Sequence, residues 1–584
     1  MSEQELKLHV PPHSRDNIKK ALAKANTIHL HAMYFDTPDR QLAKAKVAIR
    51  LRKEGDDWVQ TLKMAGENSF SRIELNHPRS KPILDLSLYA GTVAEPVLTK
   101  LTQPLGLRYE TDVIRLYKKQ RTRKGTVEIA FDTGVVRAGR LELPINEIEF
   151  ELRSGHVEAM FDIATRWLYD YDLILDTRTK SHRGDALANM MAKINNTDDI
   201  HKDTIESQET TRFWRPYKTK RTVLSRHLSA TQALCRLTEE CVEQIAINTA
   251  YLAEVDTAGV IQVACPEHVH QLRIGMRRLI SHWKLFSGFA HLPPSELMEE
   301  IRLYLNQFGA TRDTDVMLAT IMPSLEKAGM PPIKIDHYQG RSATELARDN
   351  HFQAFLLKLL AWIATTPATD PIKADKANIS ADLPLSEEID IDAVDHSSSV
   401  LPQTDIPVSA TEEISQISLS DNEKEALSDN ISMNISTTTH TVFLDIIPLV
   451  PHSPSNDFLK KIIEKRLTKW NKSIVQHWRY HDRQDIEAYH DLRKKIKRIR
   501  YSLDVYNSVE GHSQLNSYIK RLAEVQDIFG ALNDTATAKV YFSEITDTHS
   551  HAWFAVGWLS AQIELLKRVA DSALKSIPKK IPFQ

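Results

Sequence analysis

Apolar and charged residues alternate along the first third of the chain in short runs, as they do in strands of a half-buried sheet. Glu3, Glu5 and Lys7 project from one side of such a strand, and Leu6 and Leu8 project from the other. The same alternation recurs in four later segments: 47–52, 72–74, 128–132 and 147–152. Residues 54–57 (EGDD) predict a turn between two of these strands. Residues 1 to about 195 are therefore predicted to form an antiparallel sheet with some helix.

From about Thr222 the apolar positions recur at helical spacing instead. This region also contains an internal repeat, because 270–279 matches 490–499 at an offset of 220, and 308–314 matches 529–535 at an offset of 221. Two blocks at nearly one offset indicate two similar helical units. The predicted fold class is α+β multidomain, with a C-terminal all-α double helical bundle that has a pseudo-twofold repeat.

Shifts in composition divide the chain into five segments. Residues 370–456 are rich in Ser, Thr, Asp and Pro, and we predict that they form a disordered acidic insert. The predicted segments are a β domain (1–197), a polar linker (198–221), a first helical half (222–369), the acidic insert (370–456) and a second helical half (457–584).

The net charge of −2 hides a strong asymmetry. Residues 370–450 contain sixteen acidic residues and three lysines, which gives them a charge of −13 and leaves +11 for the rest of the chain. Such a distribution predicts a basic folded body that meets a polyanion, with an acidic tract inserted in it.

Composition also argues against several other classes of protein. The sequence contains no apolar run of about 18 residues, which disfavours a membrane span, and its acidic start is unlike a secretory signal. Cys235, Cys241 and Cys265 have neither zinc nor redox spacing. A reducing cytoplasm is the expected compartment.

The charged faces of the predicted strands are segregated by sign. A sheet with one solvated face would explain any single strand, but it has no need of paired carboxylates on some strands and paired arginines on others. A closed barrel with a charged lumen explains the whole set. Carboxylates suit a hard cation such as Mg²⁺ or Mn²⁺, while Arg and Lys side chains suit a condensed phosphate.

At these residues the N-terminal region resembles the CYTH domain of the triphosphate tunnel metalloenzymes. The resemblance implies an eight-stranded antiparallel β tunnel with flanking helices. It implies four metal ligands: Glu3, Glu5, Glu147 and Glu149. It implies that the substrate phosphates are bound by Lys7, Arg50, Arg52, Lys63, Arg72, Arg115, Lys180 and Arg183. Glu74, Glu128 and Asp132 are expected to add further contacts, either to the metal or to its ligands.

The activity implied by this resemblance is metal-dependent hydrolysis of tripolyphosphate to pyrophosphate and phosphate, with Mg²⁺ or Mn²⁺. The expected catalytic residues are Lys7, Glu3 and Glu5, and Lys7 would aid either the leaving group or the attacking water. The alternatives are a nucleoside or thiamine triphosphatase, an adenylate cyclase, and a binding protein whose tunnel is weakly active or inactive. No Walker A, GxGxxG or HExxH motif competes with these interpretations.

The repeated helical blocks place a histidine and basic residues at helical spacing, which would also fit an ordinary solvated helix face. Their duplication in a basic body instead favours a shared anion site, and the region resembles a CHAD domain. The resemblance implies that inorganic polyphosphate is bound by His270, Arg273, Arg277, Arg278, His490, Arg493, Lys494, Lys497, Arg498 and Arg500. Later motif residues, including Asp313 and Asp534, are expected to orient these partners. Nucleic acid is a weaker alternative, because aromatic residues are not interleaved with the basic ones.

Two features depart from the CHAD pattern. Ile274 and Gly275 stand where the second copy has Lys494 and Lys495, so the first half is predicted to bind polyphosphate more weakly. The acidic insert is also absent from the pattern. We hypothesise that it folds back and competes with polyphosphate, and an unchanged affinity at low salt after deletion of 375–450 would reject this idea.

Overall fold

The computed structural model describes most of the chain outside the acidic insert. The described residues are 4–45, 47–65, 72–219, 224, 228–255, 264–333, 340–371, 457–480, 482–483, 485–510 and 513–583. The predicted disordered insert lies outside them except for its first two residues, and so does Glu3. Within these ranges the chain forms nine strands and sixteen helices.

The N-terminal part is one antiparallel sheet. Its strands are β1 (Gln4–His9), β2 (Asn26–Asp36), β3 (Val47–Glu54), β4 (Asp57–Ala65), β5 (Arg72–Arg79), β6 (Gly106–Arg121), β7 (Gly125–Ala138), β8 (Leu141–Gly155) and β9 (Ile174–Leu175). They are hydrogen-bonded in the order β5-β4-β3-β2-β6-β7-β8-β1-β9. The prediction of eight antiparallel strands is confirmed, with a two-residue strand added beside β1. The predicted turn is also present, and Gly55 takes a positive φ of 66° there, which glycine tolerates best.

Six helices accompany this sheet. They are α1 (Arg15–Ala21), α2 (Gln41–Lys44), α3 (Glu95–Leu98), α4 (Glu158–Tyr171), α5 (Lys180–Asn195) and α6 (Lys202–Phe213). The apolar side of α4, including Ile163 and Leu168, belongs to the same buried cluster as Leu6, Phe131 and Phe150 of the sheet. Because side chains alternate along a strand, burying these residues on one face leaves their charged neighbours on the other.

Helix α6 occupies half of the segment predicted as a linker. The sequence from Lys202 to Phe213 contains no glycine or proline, and its polar composition fits a helix that buries none of its side chains fully. Ion pairs join α6 to the sheet domain, since Lys193 lies 2.8 Å from Glu209, and Arg140 lies 3.1 Å from Glu206. The polar composition thus reflects an exposed helix over this part of the segment.

The C-terminal part is helical, as predicted. Its first half contains α7 (Ala230–Leu252), α8 (Pro266–Phe286), α9 (Ser295–Val316), α10 (Met322–Lys327), α11 (Ala343–Arg348) and α12 (Asn350–Thr365). Its second half contains α13 (Asp457–Tyr480), α14 (Ile486–Glu510), α15 (Ser513–Glu544) and α16 (Ala552–Ser576). One segment of π-helix, Met317–Ile321, joins α9 to α10. No helix among the described residues is long and apolar enough to cross a membrane.

The internal repeat is visible in the packing of α8 and α14, which contact each other. Equivalent residues of the two copies are fully buried, with 0% exposure in each case: Leu272 and Leu492, Met276 and Ile496, Leu279 and Ile499. The same apolar positions therefore face the core in both halves. The basic residues between these apolar positions therefore lie on the other sides of the two helices.

The sheet domain and the helical domain share one hydrophobic core. The backbone N–H of Leu175 donates to Gln353 Oε1 at 2.9 Å, and Asn350 Nδ2 donates to Asp172 Oδ1 at 2.6 Å. These contacts join β9 and the end of α4 to α12. The two domains therefore meet through one buried and one exposed hydrogen bond as well as apolar packing.

Candidate functional site

The strand register brings the predicted charged residues onto one face of the sheet. Lys7 of β1 is opposite Glu149 of β8, and Asp132 of β7 is opposite Glu147. Arg115 of β6 is in turn opposite Asp132. These residues lie on four different strands, β1, β6, β7 and β8, and the pairing of these strands makes them neighbours on the inner face.

Three carboxylates on this face form a compact cluster. One oxygen from each of Asp132, Glu147 and Glu149 lies within 4.8 Å of the others. Asp132 and Glu147 are almost fully buried, with 0% and 3% exposure. Carboxylate oxygens at such separations suit a hard divalent cation, so the donor set fits Mg²⁺ or Mn²⁺. Asp132 was expected to contact either the metal or its ligands, and the structure places it within the cluster.

Lysine and arginine side chains neutralise the acidic cluster. Lys180 Nζ lies 2.7 Å from both Asp132 and Glu149, and it also contacts Glu147. Arg115 holds Asp132 through two hydrogen bonds of 2.7 Å and also donates to Glu149. Arg183 donates to Glu147. These basic residues, predicted to bind phosphate, are paired with the carboxylates in this structure.

The pairing shifts the pKa values of the acids. Burial raises the pKa of Asp132, but Lys180 and Arg115 outweigh that effect, so the pKa lies below its usual value. The pKa of Glu147 lies well below its usual value for the same reason, with Lys180 and Lys7 as its main partners. Both side chains are therefore ionised and ready to bind a cation at neutral pH.

Glu5 behaves in the opposite way. Burial, followed by the nearby charge of Glu149, raises the pKa of Glu5 to about 8. Glu5 was predicted to be a metal ligand, and the structure places its strand beside the cluster without including it in the compact set of three. The fourth predicted ligand, Glu3, lies outside the described residues.

Lys7 is held between the cluster and a backbone carbonyl. Its Nζ lies 3.9 Å from Glu147 and donates to the carbonyl oxygen of Arg178. Burial lowers the pKa of Lys7, and Glu147 opposes this shift only in part. Arg178 was not predicted to have a role, and the alternation pattern contains no signal for it.

The remaining basic residues line other strands of the same face. Arg50 hydrogen-bonds Tyr34, and Tyr34 stacks on Tyr109 with ring centroids 4.6 Å apart. Arg52 forms an ion pair with Glu54. These two tyrosines were missed by the sequence analysis, although their inward register on β2 and β6 could have indicated them.

Other predicted residues are positioned less directly. Lys63 is opposite Glu74 in the β4–β5 ladder, and Arg72 begins β5, but the side chains of Arg72 and Glu74 lie outside the described residues. Glu128 pairs with Arg153 at 2.7 Å, away from the three-carboxylate cluster. The structure therefore brings Lys7, Arg115, Lys180 and Arg183 to the acids and leaves the β3–β5 residues on the other part of the inner face.

A glycine allows α5 to deliver Lys180 and Arg183. A Cβ built on Gly184 would lie 2.2 Å from Cδ2 of Tyr109, which is far closer than van der Waals contact. Any larger residue would push α5 away from β6. The first turn of α5, which carries the two cations, therefore depends on glycine at this position.

A second group of basic residues forms where α8 meets α14. Burial lowers the pKa of Lys497 far below its usual value, and the charges of Arg277, Arg493 and Arg273 lower it further. Asp534 opposes the shift but does not outweigh it. Residues of both repeat copies thus converge on one site.

Residues of the later motif block position the earlier ones. His490 Nδ1 lies 2.5 Å from Asn533 Oδ1, and Arg273 Nη1 donates to the carbonyl of Leu305 at 2.7 Å. A Cβ on Gly309 would lie 2.4 Å from Arg273 Nη1, so this glycine makes room for the guanidinium. The side chain of Asp313 lies outside the described residues.

The other predicted polyphosphate residues have separate neighbours. Arg278 donates to Gln244 at 3.2 Å, and Lys494 lies 3.7 Å from Asp491. Arg498 stacks over Trp470 and Arg500 over Tyr501, at 4.8 and 5.0 Å from the ring centroids. His270 lies on α8 with Arg273. Arg278, Lys494, Arg498 and Arg500 thus contact residues outside the group around Lys497.

The departure at Gly275 has a packing reason. A Cβ there would lie 2.8 Å from Cγ1 of Ile245 on α7. A lysine, as in the second copy, would therefore separate α7 from α8. At this position the first copy therefore has one positive charge fewer than the second, and helices α7 and α8 pack closely.

Two family profiles match separate parts of the chain. The CYTH domain profile matches residues 1–184, and the CHAD domain profile matches residues 246–391 and 438–542. The sheet with its inner charged face and the repeated helices thus define two known domain classes. The chain contains a CYTH domain joined to a CHAD domain.

Individual relatives resemble parts of the chain. An inorganic triphosphatase of Haemophilus influenzae is 32% identical over 194 residues, which cover 32% of this chain and 54% of the relative. The chain thus spans about half the length of that relative. The crystal structure of a CHAD domain from the plant Ricinus communis is 19% identical, with a TM-score of 0.36, and covers 62% of this chain and 98% of that one. A Bacillus halodurans protein provisionally assigned as an adenylate cyclase is 20% identical, with a TM-score of 0.22, and covers 29% and 91%.

Proposed function

We propose that the protein is a metal-dependent inorganic triphosphatase that hydrolyses tripolyphosphate to pyrophosphate and phosphate. The observation that carries this proposal is the buried cluster of Asp132, Glu147 and Glu149 with Lys180 and Arg115 in direct contact. A site with carboxylates and cations side by side suits a phosphate chain that arrives with a divalent ion. The similarity of the CYTH region to an inorganic triphosphatase supports the same activity.

The three clustered carboxylates would hold the divalent cation, with Glu5 and Glu3 as further candidates. When bound, the cation supplies charge neutralisation and polarisation of the phosphoryl oxygens. Mg²⁺ and Mn²⁺ both suit this donor set.

The basic side chains would bind the phosphates. Lys180 and Arg115 are paired with the carboxylates here, and a cation that replaces them as the partner of these acids would free them to contact phosphate oxygens. Arg50, Arg52 and Lys63 lie on β3 and β4, further along the inner face, and Arg72 begins β5. Their charges would hold the rest of the chain and stabilise the charge on the transferring phosphoryl group.

Lys7 is the residue best placed to act during the reaction. In hydrolysis, the water oxygen bonds to the terminal phosphorus, the bond to the bridging oxygen breaks, and the water gives up a proton. Lys7 touches Glu147 and is held by a carbonyl, so its ammonium is fixed beside the cluster. It would either stabilise the leaving oxygen or orient the water.

Phosphate release from tripolyphosphate, ATP, thiamine triphosphate and long-chain polyphosphate, each with Mg²⁺ or Mn²⁺, tests the proposal. We expect tripolyphosphate to have the highest kcat/KM. A higher value for ATP or thiamine triphosphate would favour the organic triphosphates, and cyclic AMP formation would favour a cyclase. No release from any of them would leave the protein as a binding protein.

We also propose that the CHAD domain binds inorganic polyphosphate. The convergence of Arg273, Arg277, Arg493 and Lys497 supports this role, because four cations with one opposing acid form a site for a polyanion. The affinity should fall steeply with salt, as it does for other polyanions. Polyphosphate binding at this site would keep the tunnel close to its substrate in the cytoplasm.

A further inference from the structure

Arg178 lies between the tunnel and the helical bundle and is buried, with 3% exposure. Its Nε and Nη2 donate to the two oxygens of Asp176 at 2.9 and 3.0 Å, and its backbone N–H donates to Asp176 at 3.0 Å. Two residues before Asp176, strand β9 begins at Ile174 and pairs with β1. The segment that carries Arg178 is therefore fixed to the strand that carries Lys7.

The backbone and the side chain of Arg178 face different partners. Its carbonyl oxygen accepts a hydrogen bond from Lys7 Nζ, so the position of this carbonyl helps to set the position of the ammonium. Its guanidinium lies over the ring of Tyr251, with Cζ 4.7 Å from the centroid, and 5.8 Å from that of Trp214. Tyr251 belongs to α7, the first long helix of the CHAD domain.

The contacts continue from Tyr251 to the start of the basic helix α8. The ring of His268 lies 5.2 Å from that of Tyr251, and His268 Nε2 lies 2.9 Å from the carbonyl oxygen of Trp214. His268 Nδ1 accepts from the backbone N–H of Cys265, at the N-cap of α8. A continuous set of packed groups therefore joins Lys7 to the helix that carries Arg273 and Arg277.

We propose that Arg178 is a positioning residue through which the helical domain fixes Lys7 in the tunnel. The inference rests on the proposed hydrolysis for its kinetic consequence, but the placement of Lys7 can be measured without it. If the guanidinium loses its aromatic support, the segment 176–178 gains freedom, and the Lys7 ammonium is less precisely placed. Small displacements of a catalytic group reduce turnover more than they reduce ground-state binding.

The test uses the full chain with Tyr251→Leu, which removes the ring, and Tyr251→Phe, which keeps the ring and removes only the hydroxyl that hydrogen-bonds Arg178. We expect Tyr251→Leu to lower kcat for tripolyphosphate about tenfold with little change in KM, and Tyr251→Phe to restore most of the rate. Arg178→Lys keeps a positive charge but loses the two-point contact with Asp176, and it should also lower kcat. It provides a second variant should Tyr251→Leu not fold.

The matched control is Asn350→Ala, which breaks the 2.6 Å contact to Asp172 elsewhere between the same two domains. We expect its kcat to be unchanged. Equal losses in Asn350→Ala and Tyr251→Leu, or no loss in Tyr251→Leu and Arg178→Lys, would overturn the inference.

Amine labelling of Lys7, followed by mass spectrometry, separates this inference from the proposed function. Lys7 should become more reactive in Tyr251→Leu than in the wild type or in Asn350→Ala. If the wild type releases no phosphate, the proposed function fails, and the labelling alone decides whether Arg178 positions Lys7. Identical labelling in all three proteins would reject the positioning role.

Discussion

The tunnel and the helical bundle both contain a cluster of basic side chains, but the two clusters shift the pKa of a lysine in opposite directions. In the tunnel, Lys180 touches three carboxylates, and these outweigh burial to raise its pKa well above its usual value. In the bundle, burial and three neighbouring arginines lower the pKa of Lys497 well below its usual value. The same type of side chain is thus stabilised as a cation in one site and destabilised as a cation in the other.

This difference indicates what each site can bind. A cluster whose positive and negative side chains balance suits a ligand that carries both positive and negative charge, such as a divalent cation with a phosphate chain. A cluster of like charges gains from a polyanion alone. Four experiments test whether the two sites differ in this way.

The largest effect is expected for Glu147→Gln. It removes one negative charge from the cluster and leaves Lys7, Lys180 and Arg183 with too few partners. We expect hydrolysis of tripolyphosphate to be abolished, Mn²⁺ binding measured by electron paramagnetic resonance to weaken, and polyphosphate binding to stay. Glu142→Gln, on the same strand but at an exposed position, is the control. Wild-type turnover in Glu147→Gln would remove the acidic cluster from the mechanism.

If hydrolysis and polyphosphate binding occur at separate sites, two further variants should each lose a different one of these activities. Lys7→Ala should abolish turnover and keep polyphosphate binding, whereas Arg493→Ala combined with Lys497→Ala should weaken polyphosphate binding about ten- to a hundredfold and keep turnover. Because Lys497 is surrounded by like charges, the double variant should also melt at a higher temperature. Lys472→Ala, at an exposed position of α13, should change none of these. Parallel losses of both activities in Lys7→Ala and in the double variant would argue for one site.

Metal affinity should depend on pH through Glu5. Because its pKa is raised to about 8, Glu5 carries a proton at pH 6, and a cation that recruits it must displace that proton. Calorimetric titration should therefore show Mg²⁺ affinity rising between pH 6 and 8, by up to about tenfold per unit. Glu5→Gln should flatten this dependence. A dependence that survives in Glu5→Gln would assign it to another group.

The smallest effect concerns stability in the bundle. Burial raises the pKa of Glu239 to about 8, above its ordinary value of 4.5. A carboxyl with a raised folded-state pKa contributes most stability below its unfolded pKa, and this contribution is lost as the pH rises from about 4.5 to 8. Glu239→Gln should therefore raise the melting temperature at pH 8 by about 2–5 °C, with a smaller gain at pH 5. Glu296→Gln, at an exposed position of α9, should give equal changes at both pH values, and the same result for Glu239→Gln would contradict the assignment.

The sequence anticipated those parts of the site that depend on local periodicity. Strand alternation separated Arg50 from Ile49 and Glu149 from Phe150, because a strand has only two faces. Helical spacing and the repeat predicted the double bundle. The resemblance to known families supplied Lys180 and Arg183, which follow no strand pattern and lie on the first turn of α5.

The sequence did not reveal which residues become neighbours through strand register or through the close approach of a helix to a strand. Asp132 joins Glu147 because β7 and β8 pair in one register, and a shift by one residue would have placed it on the other face. Tyr34 and Tyr109 meet across two strands, and Gly184 matters only because α5 approaches one of them. None of these relationships has a signature within a single segment.

Local periodicity thus established which residues could face inward and which helices were copies of each other, because both follow from the period of a strand or a helix. The sharing of Lys180 by particular carboxylates arises only in the folded chain, and so does the arrangement in which the carbonyl of Arg178 holds Lys7 while its side chain packs on the helical domain. Those outcomes depend on contacts between distant segments, whose distances are fixed when sheet and helices pack into one core.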